Sequence, residues 1–563
     1  MQLKKKVLLR AGYKGGKMRY VLAIAIMLSL SFGLVTESFR YQSTAFLWED
    51  DYDLLFDPAR IPEIDGARLW TGLSNFVTGN EQVFADSGAP FFYIGGMMNY
   101  GKYYPGFVYN RQVTKEALPT GLYDPMEGPI LGYGEVITID WTLDPDGDPD
   151  YASVEKRTAS AYNAIKNNDF YVAVGTHTND LRFGLGFMRQ YHKNILTDPV
   201  DNFTTEFFNE DYPSNDTTYW RKAQSAGDYI YSDTDNDILL SGWMDQDDYS
   251  IGLMVVYGML SRDEEGIITG SDSTLTDPSD PTSDFTEITR IDSGVIPQSG
   301  TRLGAELKLF YNYNEDAQGR YYFGYSTESY DYDEDAMNWS YYASAAEYSD
   351  FTYDTITNVT YYDGDMSHSC LTAGTKQLFH INDRFRFGLG LFFSITSMSA
   401  DSLTMQENTT NIEVYDDGDG VDDIDDYRRE ETFSQTWMDK IDGNTKTFTI
   451  PVGAEFNISD PLVFRLGAQY TLDYNDITTT RALIDYQPTT TEWSFGDGTD
   501  TTLVDQDYTE DGWQVTDEST VSSTDYFYGI GWQVNDNLQI DLMHFNEIDN
   551  LYSWRLSATV KFD

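Results

Sequence analysis

The chain has 563 residues, with 92 acidic against 37 basic for a net charge of -55, and 15% aromatic residues that include 43 tyrosines. So acidic a chain excludes a nucleic-acid partner, because phosphates demand the opposite sign. The single Cys370 excludes an internal disulfide, and ordinary glycine and proline content excludes a low-complexity chain.

At the N-terminus, Lys4, Lys5, Lys6, Arg10, Lys14, Lys17 and Arg19 precede the uncharged run YVLAIAIMLSLSFGLV over 20–35. A basic stretch before a short apolar run is the pattern of a secretory signal. The run is short for a membrane helix, which needs about 20 residues. Residues 1–38 are therefore expected to be a signal peptide, with Met18 as an alternative start; an uncleaved anchor is the other reading. Without them the chain holds 30 basic and 91 acidic residues, net -61. No later stretch approaches 18 consecutive apolar residues. An exported chain that spans a membrane must then do so as a barrel, since only helices and closed barrels satisfy every backbone group in lipid.

Residues 39–65 read as an N-terminal periplasmic segment or a partial hatch, and 66–563 as the barrel. Segments 67–77, 90–99, 103–112, 134–142 and 154–165 are faint strand candidates. From 169 onward the pattern sharpens. THTNDLRFGLGFM and QDDYSIGLMVVYGML each carry a turn acid followed by alternating apolar residues, and NEDAQGR (314–320) is a further turn. FHINDRFRFGLGLFF (379–393), FNISDPLVFRLGAQY (456–470) and WQVNDNLQIDLMHF (532–545) align without gaps through the turn. Each is two strands of period two joined by a tight Asn/Asp/Ser turn, a turn chemistry these residues favour. The turn acids Asp383, Asp460 and Asp536 recur 77 and 76 residues apart. Each interval holds two strands and a long polar connection. Tight turns at one end and long connections at the other describe an outer-membrane barrel.

The fold class expected is all-β: a transmembrane antiparallel up-and-down barrel of about 16 strands, with 14–18 as bounds, short periplasmic turns and long acidic external loops. The loops fall at 192–226, 262–299, 334–365, 399–443 and 487–519. Inward positions are small or polar. They include Gly184, Gly186, Gly388, Gly390, Gly467, Gly529 and Gly531, read as curvature of the wall ahead of pore clearance. Arg182, Arg386, Arg465, Arg555 and Lys561 also fall on lumen-facing positions. The last strand, LYSWRLSATVKFD, sets Trp554, Leu556, Val560 and Phe562 on one face and polar residues on the other. It resembles the closing-strand signal of outer-membrane barrels, with Asp563 following the terminal aromatic.

LLFDPARIPEIDGARL, over 54–69, resembles the stretch that follows the signal in the long-chain fatty-acid transporter (FadL-like) group of outer-membrane barrels. Phe56, Asp57, Pro58 and Ala59 match an aromatic-Asn-Pro-Ala element, with Asp for Asn, over about 30 residues in all. In that group the region forms a small hatch inside the barrel and a hydrophobic ligand passes by lateral exit; the resemblance implies a partial plug near 41–65 here, and the ligand is not carried over.

Other motifs are weaker. YDDGDGVDDIDD (415–426) spaces Asp417, Asp419, Asp423 and Asp426 around Gly420 like a calcium loop, but Tyr415 stands where a first Asp is needed. A solvated acidic loop is the alternative. DPDGDPDYASVE (144–155) has Pro149 at the turn position. Gly96, Gly101 and Lys102 have P-loop spacing, yet Tyr103 replaces the required Ser or Thr. The histidines at 177, 192, 368, 380 and 544 form no metal spacing, and nothing supports an enzyme.

The function expected is an outer-membrane channel, porin-like, that passes small solutes or a hydrophobic ligand and prefers cations. The alternative is a non-conducting barrel that serves as receptor, adhesin or structural protein. No cofactor is expected beyond calcium in an external loop. The partners expected are outer-membrane lipid and the assembly machinery that reads the C-terminal strand.

Overall fold

The computed structural model describes residues 37–74, 92–124, 128–143, 149–199, 201–211, 216–275, 285–333, 336–347, 351–415, 427–496, 498–504, 512–545 and 555–562. Residues 1–36 of the expected signal peptide 1–38, the Asp417–Asp426 loop and Trp554 lie outside them. Among the described residues no helix is long and apolar enough to cross a membrane. The chain crosses with strands.

Sixteen strands close into one antiparallel ring. The first are β1 (Ala67–Ser74), β2 (Phe92–Met97), and β3 (Tyr103–Ala117, resumed at Tyr133–Leu143). Next come β4 (Pro149–Ser160, resumed at Tyr162–Thr178), β5 (Leu181–Thr197, resumed at Phe203–Asp211), β6 (Asp216–Asp245), β7 (Tyr249–Leu275) and β8 (Phe285–Asn314). Then follow β9 (Ala317–Tyr332, resumed at Met337–Glu347), β10 (Phe351–Asn382), β11 (Phe385–Tyr415) and β12 (Tyr427–Ser459). The ring ends with β13 (Leu462–Phe495), β14 (Trp513–Asn535), β15 (Leu538–Phe545) and β16 (Arg555–Phe562). Register shows that each resumed strand is a single line with a break in it. The two pieces of β5 pair with the lower and upper halves of β6, and the two pieces of β9 do the same along β8. Backbone bonds stitch the breaks, such as Ser160 N to Asn202 O at 2.9 Å and Ala161 N to Gly132 O at 2.6 Å. The faint candidates near 134–142 and 154–165 are thus outer extensions of β3 and β4, not further strands of the ring. β16 pairs with β1 from Phe562 opposite Ala67 to Arg555 opposite Ser74, so no edge is left open.

The repeated turns share one device. The Asn314, Asn382 and Asn535 side chains each accept from the backbone N–H two residues on, at 2.8, 2.9 and 2.9 Å. This is the Asx turn that made the repeats visible in the sequence.

Strands β10 to β13 run 32, 31, 33 and 34 residues, where about 9–11 suffice to cross a bilayer. Outward apolar residues cluster near the turn end: Ile251, Leu253, Tyr257 and Met259 on β7, and Leu389, Leu391 and Phe393 on β11, are all exposed. Farther along β11 the outward positions become Ser397 and Asp401. An apolar belt below and polar strands above place this ring in an outer membrane. Much of what the sequence suggested as external loop is therefore hairpin, because alternating Thr, Asn and Asp residues keep pairing above the bilayer. Among the described residues β1, β2, β15 and β16 have six to eight residues each.

Candidate functional site: a plugged lumen

Residues 37–65 lie inside the ring, at its turn end. They form a short helix, α1 (Phe39–Ser43), capped by the Ser38 side chain, and two 3-10 turns, Asp53–Phe56 and Pro58–Glu63. Pro58 and Pro62 favour this compact, non-α path. Leu55 and Ile61 are completely buried, and with Phe39, Tyr52 and Ile64 they pack against Trp70, Tyr93, Val108, Tyr171 and Met543 of the low side of the barrel. Polar anchors fix the rest. Tyr171 Oη donates to the Leu55 carbonyl at 2.6 Å, Trp243 Nε1 to Asp57 at 2.8 Å, and Ala59 N to Ser241 Oγ at 2.7 Å.

The glycines have a reason other than curvature. A Cβ on Gly184 would collide with the Pro58–Ala59 backbone. On Gly453 it would lie 2.5 Å from Thr44 O, and on Gly467 2.5 Å from Ala45 N. These inward glycines let the plug backbone rest on the wall, which is the close-approach use of glycine in a strand.

Charged pairs tie plug to wall. Arg40 forks onto both oxygens of Glu455, each at 2.8 Å. Glu49 is held by Arg60 at 2.9 Å and by Arg320 at 2.8 Å. Lys308 reaches Asp57 at 3.5 Å, and Arg68 reaches Asp51 at 3.1 Å. Forked pairs of this kind fix geometry as well as charge.

The lumen-facing residues expected from the sequence are placed as follows. Arg182 pairs with plug Glu63 and with Asp245, its guanidinium over the Trp243 ring. Arg465 bridges Glu455 at 3.3 Å and Asp541 at 2.6 Å, and Arg386 reaches Glu455 at 3.4 Å. Arg555 stands opposite Met543, which packs in the plug–wall core. Lys561 stands opposite Arg68. On β16, Leu556 and Val560 are partly buried and Phe562 is exposed.

Above the plug is a cavity of about 610 Å³. Phe56, Tyr171, Met188 and Leu239 give it apolar surface, while Asp169, Asp233, Asp235 and Asp237 give it carboxylates. Arg302 answers part of this charge: it meets Asp235 at 2.6 Å, Asp237 at 3.0 Å and Glu328 at 2.7 Å. Arg262 stands 3.7 Å from Asp233, with its guanidinium over Tyr330. Sequence reading missed these acids. The signal was present in YSDTDND, where Asp233, Asp235 and Asp237 fall at a period of two and so share one strand face.

Plug carboxylates are perturbed. Burial pushes Glu37 up to about 7, with Glu49 adding to the rise and Lys376 opposing it. Burial likewise pushes Asp53 up to about 7, although Ser38 N, Ser38 Oγ and Asp50 N all donate to it. Glu49 is lowered despite its burial, because Arg60 and Arg320 outweigh the desolvation.

No family model matches the chain, and no curated protein matches it. Among solved structures it is similar to the toluene transporter TbuX of Ralstonia pickettii, at 12% identity and a TM-score of 0.30, over 94% of this chain and 100% of that one. It is similar to the TodX monoaromatic hydrocarbon channel, at 11% identity and a TM-score of 0.31, over 92% and 98%. The FrpB iron transporter of Neisseria meningitidis follows at 13% identity and a TM-score of 0.26, over 91% and 83%. Likeness this low carries no functional argument; the barrel rests on the strand pairing itself.

Proposed function

We propose that the protein is an outer-membrane channel that admits a small solute with an apolar body into the cavity and passes it by way of the plug, with cations preferred at the external mouth. The observation that carries this reading is the stacking of a tall polar vestibule, a cavity of mixed lining, and a plug held to the wall by exchangeable ion pairs. Pockets of this size and lining suit small amphipathic molecules. Lipid surrounds the belt in this reading, and the assembly machinery engages the closing strand.

The test is conductance in a planar bilayer, comparing the full chain with a variant that lacks residues 39–65. The expected result is small, fluctuating conductance for the full chain and a large steady one for the deletion. Equal conductance from both would remove the plug from the pathway. The height of β10–β13 above the belt favours a receptor or adhesin as the second reading. That reading requires the deletion variant to conduct while the full chain passes neither ions nor solute.

A further inference from the structure

The inner wall of β3, β4, β5 and β6 is an aligned polar surface. Register sets Asn110 opposite Asp169, Asp169 opposite Gln190, and Gln190 opposite Asp235. One rung outward lie Gln112, Asn167, His192 and Asp233; one rung toward the plug lie Tyr171, Met188 and Asp237. Residues paired across neighbouring strands point to the same face, and these border the cavity.

Asp169 is the anomaly on this wall. It is 6% exposed; Asn110 Nδ2 donates to Asp169 Oδ2 at 3.0 Å, and the Tyr191 backbone N–H also donates to the carboxylate. Among the described residues no lysine or arginine pairs with it. Asp235 and Asp237 have Arg302, but two strand spacings separate Asp235 from Asp169, roughly 9–10 Å. The amide that faces Asp169 has its own deficit: Asn110 is 4% exposed, and its Oδ1 is buried without a hydrogen-bond partner. An unpaired buried charge and an unsatisfied buried acceptor are each costly. Here they lie side by side on the wall of one cavity: the carboxylate lacks a counter-charge and the amide oxygen lacks a donor. Turning the amide would set its oxygen against the carboxylate and leave an N–H unsatisfied instead, so reorienting Asn110 does not remove the deficit. Toward the plug the lining becomes aromatic and apolar. Tyr171 and Phe56 stand with ring centroids 5.2 Å apart, and Met188 pairs with Tyr171. Among the described residues no group of three or more His, Cys, Asp or Glu side chains is placed to hold a metal ion, and a cation that carries its own N–H groups would serve the carboxylate and the amide oxygen together.

We propose that the cavity binds a small organic cation, an ammonium or guanidinium head on an apolar or aromatic body. The head lies against Asp169 and Asn110 from the cavity side, and the body against Phe56, Tyr171 and Met188. The inference rests on the transport reading above and supplies its substrate class. A cationic head gives Asp169 its counter-charge and Asn110 its missing donor in one step. Aromatic faces beside it favour a cation further.

The test is equilibrium binding to the full chain in detergent, by calorimetry, with phenethylammonium, 2-phenylethanol and phenylacetate as probes. These share an aromatic body and differ in the charge of the head. The expected order is phenethylammonium first, the alcohol at least tenfold weaker, and no heat from phenylacetate. Asp169→Asn is expected to weaken phenethylammonium at least tenfold and to leave the alcohol unchanged. Asn110→Leu keeps the carboxylate and should weaken the ammonium by a smaller factor; it decides the matter if Asp169→Asn loses heat-modifiable folding. Equal affinity for the ammonium and the alcohol in the unaltered protein would overturn the proposal, as would undiminished ammonium binding in folded Asp169→Asn. Loss of cation binding with conductance intact would sink this inference and leave the channel reading standing.

Discussion

Individual residues carry the contact between wall and plug, and two kinds can be tested alone. Gly467 has no room for a methyl group because Ala45 N lies where it would go, whereas a Cβ on Gly242 meets nothing closer than 3.6 Å. Gly467→Ala should therefore cost about 1–3 kcal/mol as an overpacking strain, read as a lower midpoint of urea unfolding in detergent, while Gly242→Ala stays near the parent. Equal shifts in both would mean that a general loss of strand flexibility, and not the plug, sets the cost. Arg465 is the second kind. It is 5% exposed and serves both Glu455 and Asp541. Arg465→Met leaves Asp541 without its cation and should cost about 3–5 kcal/mol, as the breaking of a buried pair does. Adding Asp541→Leu should recover part of the loss, and a double-mutant cycle with no coupling between the two would refute the bridge.

The plug is the element whose position responds to pH. Glu37 and Asp53 are pushed up to about 7 by burial, against ordinary carboxylate values near 4. A proton is therefore bound more tightly in the docked plug than in a released one. Docking is strongest below the ordinary values and weakens as pH rises from about 4 to about 7, where both groups ionise in place. Lys376 and Glu49 face Glu37; Ser38, Asp50 and Glu49 face Asp53; of these the lysine alone favours ionisation through its charge. Single-channel conductance should thus rise with pH between about 5 and 8, and Asp53→Asn, at a position beyond the expected signal peptide, should flatten the profile. A rise that persists in the Asp53→Asn variant would move the pH response elsewhere. The sequence made the barrel legible because its two signals, period-two alternation and the Asn turn, act within a few residues of one another. It gave a hatch only as one alternative at 39–65. The plug's contacts were hidden because they join distant positions: Arg40 meets Glu455 across 415 residues. The inward glycines were visible, but their reason lay in a segment that had not yet been placed against them. Strand length was underestimated because Thr- and Asp-rich stretches read as loop until partner strands on both sides supply their pairing.

At the scale of the whole molecule, the sign of the selectivity follows from where charge is left over. The chain carries net -55, yet its wall cations are largely spoken for: Arg182 by Glu63 and Asp245, Arg320 by Glu49, Lys308 by Asp57 and Glu306, and Arg68 by Asp51. The arginines that could have made an anion path therefore hold the plug in place. Among the described residues exposed acids such as Glu407, Asp517 and Glu518 lie on the hairpins above the belt, and a vestibule with low-dielectric walls would focus their field on the mouth. Cations should be concentrated there and anions repelled, as with carboxylate rings in other pores. The rival account is that the acidic surface keeps the protein soluble and does nothing to the current. Screening separates the two, because the Debye length falls from about 10 Å at 0.1 M salt to about 3 Å at 1 M. The expected reversal potential across a salt gradient is cation-selective at low salt and fades toward neutrality as both sides are raised to 1 M. In the variant lacking residues 39–65 the freed wall cations should reduce that selectivity, since Glu49, Asp51, Asp57 and Glu63 leave with the plug while Asp245 and Glu306 stay. Unchanged selectivity in that variant would show that the hairpins alone set the field. Anion preference in the full chain at low salt would show that the wall cations govern the pore despite their pairing.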